Sequence, residues 1–220
     1  MWFNIWVIAV LASPSFEIRV LKYRRKENKR VVLEYKKRME TYISILRGIN
    51  VSGKKLIKMD ALRKLYEDLG FHSITTYVQS GNVIFTSETA NSEKLAQTIS
   101  QQIEKEFGFD VPVIVMSIAK LKHIIENNPF ANDSQKDKTF LHVTFLSSKP
   151  DKFDLNAIED KKLSGEEIAI TDNAVYLYCP NGYGKSKLNN GFLEKKLKVG
   201  ATTRNWKTTN KLLMIPNQSI

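Results

Sequence analysis

Three segments of this chain set glycine beside lysine or arginine, and they are where its side chains have the best means of holding an anion. The first reads Leu46-Arg47-Gly48-Ile49-Asn50-Val51-Ser52-Gly53-Lys54-Lys55. Its glycines permit close backbone approach, its free amides can form an anion-binding nest, and Arg47, Lys54 and Lys55 add positive charge. The apolar Ile49 and Val51 argue for an ordered loop rather than a solvated one. The second reads Tyr178-Cys179-Pro180-Asn181-Gly182-Tyr183-Gly184-Lys185-Ser186-Lys187. A nucleoside-triphosphate loop needs G-x-x-x-x-G-K-[ST], and Cys179 stands where the first glycine belongs. What remains is an amide-and-lysine cradle for phosphate or carboxylate, built on Gly182, Gly184, Lys185 and Ser186. The third, Gly200-Ala201-Thr202-Thr203-Arg204-Asn205-Trp206-Lys207, reads as the start of a helix capped by Thr203. Free amides and the helix dipole favour anions there, Arg204 offers a planar fork and Asn205 a polar group, while Trp206 reads as core. The turn Ser80-Gly81-Asn82 supplies further polar atoms.

Other chemistries find little support. His72, His123 and His142 are far apart and lack metal-ligand spacing, so no metal is expected. Cys179 is the single cysteine, which excludes an intrachain disulfide and fits a reducing, cytoplasmic setting. Lys185 nearby would lower its thiol pKa, yet a lone cysteine at a strand end reads as structural. No nucleophile–base pairing and no carboxylate pair stands out, and no cofactor is implied.

Charge is uneven along the chain. Residues 1–38 hold ten Lys/Arg against three Glu, residues 47–58 four bases and no acid, and residues 181–211 eight bases and one acid. The remainder carries a net −7, so positive charge gathers where glycine does. Residues 1–12 are apolar but shorter than the ~20 residues that span a bilayer, so no stable membrane insertion is expected. They resemble a signal-peptide core without its preceding basic residues. The basic stretch after them reads as a solvated helix, a polybasic anchor or an extra segment, disordered or not native. Met39 directly precedes the first convincing strand and is expected to be the true start.

The elements that must position these segments follow from periodicity. A strand is expected at 42–46. A helix at 59–69 follows from Leu62, Leu65, Tyr66 and Leu69, with Gly70 after it. Strands at 74–79 and 83–86 flank the Ser80-Gly81-Asn82 turn. A helix at 92–107 carries Leu95, Ile99, Ile103 and Phe107 and ends at Gly108; a strand at 111–116 and a helix from Ser117 follow. The order β-α-β-β-α-β predicts an α+β fold with a ferredoxin-like first unit over residues 39–130. A smaller α+β second unit over 138–216 has strands at 139–146, 167–171 and 174–178, then short helices at 190–198 and 204–214. No internal sequence repeat is evident.

The stretches METYISILRGINVSGKKLIKMDALRKLYEDLGF, TYVQSGNVIF and YGKSKLNNGFLEKKLKVGATTRNWKT resemble the domain of unknown function 1697 family, over residues 39–214. That resemblance implies a two-part α+β protein, mostly bacterial and cytosolic, with no assigned activity. Three functions stay open. The first is binding of a phosphate-bearing ligand, from a small anion to nucleic acid, at a surface where the 47–55 loop meets the 182–204 region. The second is an enzyme acting on a small phosphorylated or carboxylated substrate. The third is a protein-interaction module with a basic face.

Overall fold

In the computed structural model the described residues are 16–22, 31–37 and 39–218. Strands β1 (Phe16–Lys22) and β2 (Val31–Lys37) pair antiparallel, Phe16 opposite Lys37 and Lys22 opposite Val31. The basic stretch, read as a solvated helix, a polybasic anchor or an extra segment, thus contributes to an extended pair, while residues 23–30 and the apolar residues 1–12 lie outside the described residues.

The first unit runs β3 (Glu40–Leu46), α1 (Met59–Asp68), β4 (His72–Tyr77), β5 (Asn82–Ser87), α2 (Ser92–Phe107), β6 (Val113–Ser117) and α3 (Ile118–Glu126). Its sheet has the order β4-β5-β3-β6, all antiparallel, which is the expected split arrangement. Local chemistry sets the helix ends. The Asn91 side chain accepts the Lys94 N–H to start α2, and Gly108 ends it at φ 78°, a left-handed value that glycine adopts without Cβ strain. Ser117 caps α3 through the Lys120 N–H.

The second unit runs β7 (Leu141–Leu146), α4 (Asn156–Glu159), β8 (Glu167–Ile170), β9 (Ala174–Tyr178), α5 (Asn190–Leu197), β10 (Ala201–Asn205) and α6 (Trp206–Met214). Its sheet order is β10-β7-β9-β8, again antiparallel. Numbered within each unit, both sheets read 4-1-3-2, and each unit ends in a helix. The chain is a structural duplication that its sequence does not announce. Two boundaries differ from expectation. Residues 201–205 form a strand, not the approach to a helix, and the cap of α6 is Asn205, which accepts the Thr208 N–H, in place of Thr203.

Period-two alternation divides each central strand between two cores. In β3, Tyr42 and Leu46 pack with Leu62, Leu65, Tyr66, Leu95 and Ile99 of α1 and α2, while Ile43 and Ile45 point the other way. In β9, Val175 and Leu177 join Leu193 and Leu197 of α5, while Ala174 and Tyr176 face back. Those back-facing residues share one cluster with Leu121 and Ile124 of α3 and Leu212 of α6. The units are thus joined through a common apolar layer, and the Tyr176 hydroxyl donates across it to the Ile124 carbonyl at 2.8 Å. Both faces of each sheet are covered, so any site must lie at strand ends and loops.

Candidate functional site

Loop 47–58 leaves β3 beside the tip of the β4–β5 hairpin. The Leu46 N–H donates to the Gly81 carbonyl at 2.8 Å, and Asn50 Nδ2 donates to Gln79 and Ile57 carbonyls at 2.9 Å each. Asn50 Oδ1 accepts the Ile57 N–H, so this side chain staples its own loop. Asn50 is therefore spent on structure. Ile49 is buried as expected of an ordered loop, whereas Val51 is 56% exposed. Within the loop, Gly48, Asn50 and Ser52 have positive φ, and Ile49 and Val51 between them do not. Alternating φ of this kind is the backbone pattern of a nest, although the Asn50 N–H in its middle is donated to the Lys55 carbonyl at 3.1 Å. The amides of Gly48, Ile49 and Ser52 have no protein acceptor among the described residues.

These residues line a cleft of about 800 Å³ at the junction of the two units. From the first unit come Arg47, Gly48, Ile49, Val51, Ser52, Lys54, Lys55 and Ser80; from the second, His142, Tyr183, Asn190 and the 202–205 strand end with Thr208. The 47–55 loop and the 182–204 region do converge. Their charges are held differently. Arg47 pairs with Glu194 of α5 at 2.6 Å, and that carboxylate also accepts the Ala201 N–H. The Lys55 ammonium donates to the Asp110 carbonyl. Lys54 has no side-chain partner among the described residues.

Arg204 is the hinge pin of the junction. Its Nε donates to Asn82 Oδ1 at 2.7 Å, Nη2 to the Leu46 and Ser80 carbonyls at 2.8 and 2.7 Å, and Nη1 to Thr202 Oγ1 and the Thr203 carbonyl at 3.1 and 2.9 Å. Five N–H groups meet five neutral acceptors, and none remains for a ligand. Burial pushes its pKa down to about 10, so it stays charged at neutral pH with no carboxylate beside it among the described residues. Arg204 thus acts on the cleft as a fixed field, not as the ligand fork its sequence suggests. Asn82, fully buried, anchors it and donates to the Tyr77 carbonyl and Ser80 Oγ.

The glycine–lysine–serine segment does not reach the cleft. Gly182 turns the chain at φ 89°, residues 183–185 form a single 3-10 turn, and the buried Ser186 Oγ accepts the Leu188 N–H. Gly182, Gly184, Lys185 and Ser186 stay outside the lining, as does Gly53. Cys179 is buried, and burial with Glu166 nearby pushes its thiol up to about 11, the reverse of activation by Lys185.

What reaches the cleft from that region is Tyr183; His142, Asn190, Thr202, Thr203 and Thr208, which sequence reading did not single out for the site, line it too. The His142 and Tyr183 rings stack at 4.8 Å and 20°. His142 Nδ1 lies 3.1 Å from the Phe140 carbonyl, which can only accept, so Nδ1 carries the proton and Nε2 the lone pair. Burial holds the imidazole pKa below its ordinary 6.5. The unfolded chain then protonates first on acidification, so stability falls as pH drops through 6.5 and levels once the folded ring is also protonated. His142→Gln is expected to remove that part of the slope, measured by urea unfolding across the interval. An unchanged slope would count against a buried neutral ring.

Among the described residues no group of His, Cys, Asp and Glu is arranged to hold a metal ion, and no helix is long and apolar enough to cross a membrane. The fold and cleft define a tandem pair of α+β units with a lysine-rimmed cleft at their junction. The chain belongs to the family described as protein of unknown function (DUF1697), whose model matches residues 39–176. A solved structure, that of the conserved bacterial protein SP0830 from Streptococcus pneumoniae, is similar at a TM-score of 0.59 and 23% identity. The similarity covers 81% of this chain and 99% of that one. This supports the fold alone. No curated protein matches the chain.

Proposed function

We propose that the junction cleft binds a small phosphate-bearing anion, the alternating loop 48–52 supplying backbone donors and Lys54 and Lys55 the charge. The observation that carries this reading is the coincidence of unpaired Gly48, Ile49 and Ser52 amides with cleft lining. Arg204 adds an uncompensated positive field without using a donor, which favours a negative guest further. A concavity of this size accepts one terminal phosphate more naturally than a polymer backbone. The sheet faces, which ferredoxin-like domains can offer to RNA, are covered by helices here. A cytoplasmic, bacterial setting is part of the reading, supported by the single buried thiol and by the bacterial source of the similar structure.

Calorimetric titration with inorganic phosphate tests it. Binding is expected, and Lys54→Glu should weaken it by roughly tenfold, since reversing one nearby partly screened charge is worth on the order of 1 kcal/mol. Lys185→Ala, outside the cleft, should leave it unchanged. Equal losses in both variants would point to diffuse surface charge and sink the cleft reading.

A further inference from the structure

The second-unit wall of the cleft has a hydrogen-bond order that can be worked out atom by atom. Asn190 Oδ1 lies 2.6 Å from Thr203 Oγ1 and can only accept, so it takes the single Thr203 proton. Tyr183 OH at 3.0 Å and Thr144 Oγ1 at 2.7 Å must then donate to Thr203. Thr203 is saturated, and Asn190 keeps its Nδ2 donors. Asn205 Oδ1 accepts the Thr208 N–H at 2.8 Å and likewise leaves Nδ2 unused. His142, with Nδ1–H turned to the Phe140 carbonyl and its ring held against Tyr183, keeps an Nε2 lone pair with no protein donor among the described residues.

The wall therefore offers acceptor and donor atoms side by side and, because the Arg204 donors are all used, no free charged donor. That is the complement of hydroxyl groups, each of which donates once and accepts as well. A bare phosphate would also leave most of a cleft of about 800 Å³ unfilled. Resting on the anion reading above, we infer that the ligand is a phosphate ester of a polyhydroxy compound, a sugar phosphate. Its phosphate sits at the 48–52 loop, and one of its hydroxyls donates to His142 Nε2.

The experiment compares inorganic phosphate, propyl phosphate, glycerol phosphate, ribose-5-phosphate and glucose-6-phosphate by calorimetry on the full chain. At least one hydroxylated ester is expected to bind about tenfold more tightly than propyl phosphate, the worth of one or two well-placed hydrogen bonds. His142→Phe, which keeps a ring against Tyr183 but has no acceptor, should erase that preference, the hydroxylated esters then binding no more tightly than propyl phosphate. His142→Gln, with a carbonyl acceptor, should restore part of it. Propyl phosphate binding as tightly as all three hydroxylated esters overturns the inference, and so does a preference that survives His142→Phe. Inorganic phosphate binding in those cases leaves the anion cleft standing; failure of all five ligands removes both readings.

Discussion

Arg204→Met is expected to cost about 3–5 kcal/mol of folding stability, although Arg204 makes no ion pair among the described residues, because it strands buried and half-buried acceptors on the other unit. Methionine matches the length of the aliphatic stem and donates nothing. The Leu46 and Ser80 carbonyls and Asn82 Oδ1 would lose their partner, each worth roughly 1–3 kcal/mol when left unsatisfied out of water. Against this stands the relief of a desolvated guanidinium, which is why the total is less than the sum of the three. Arg204→Lys should recover little, since one ammonium cannot reach acceptors that the planar fork spans. Urea unfolding checks this, with a lower midpoint expected for both variants. If Arg204→Met stays within about 1 kcal/mol of wild type, the guanidinium does not hold the units together.

The role of Arg204 also shows where sequence reading ends. The first unit was legible because its helices carry long local signals. Leu95, Ile99 and Ile103 repeat every four residues between the Asn91 cap and Gly108, and all three are buried. The second unit hides the same topology. Its α4 has four residues, too few for a helical period, and β10 reads ATTRN with no apolar alternation. That strand exists because it pairs with β7, Ala201 opposite Leu146 and Asn205 opposite His142, which no local pattern foretells. At the cleft, the cation-and-glycine signal located the 47–55 loop but could not separate a free lysine from a committed arginine. The partners of Arg204 lie more than a hundred positions away at Asn82, Ser80 and Leu46. At Lys185 the same signal is present, glycine, lysine and serine standing together, yet the serine is turned inward to accept the Leu188 N–H. His142 carries no site signal in the sequence, because its fixed tautomer is a property of the Phe140 carbonyl and not of any spacing.

Gly81→Ala is expected to be nearly as damaging as the loss of Arg204, and a second glycine isolates the reason. Gly81 and Gly108 have almost the same backbone, φ 75° and 78°, so an alanine at either meets similar left-handed strain of about 1–2 kcal/mol. Their surroundings differ. A Cβ at Gly108 would meet nothing within 4 Å, whereas at Gly81 it would lie 2.7 Å from both Leu46 Cβ and Ile49 Cδ1. Neither neighbour can yield freely, because Leu46 and Ile49 are buried and the Leu46 N–H is bonded to the Gly81 carbonyl itself. Overpacking of that kind adds about 1–3 kcal/mol, so Gly81→Ala should cost on the order of 3 kcal/mol and Gly108→Ala only about 1. The relaxation available to Gly81→Ala is a shift of Ile49 and with it the Gly48 and Ser52 amides. Inorganic phosphate binding should therefore weaken in Gly81→Ala and stay at the wild-type level in Gly108→Ala. Urea midpoints and phosphate titrations on the two variants provide the check. Equal destabilisation would mean the hairpin tip does not press on the loop, and intact phosphate binding in Gly81→Ala would detach the anion site from Ile49.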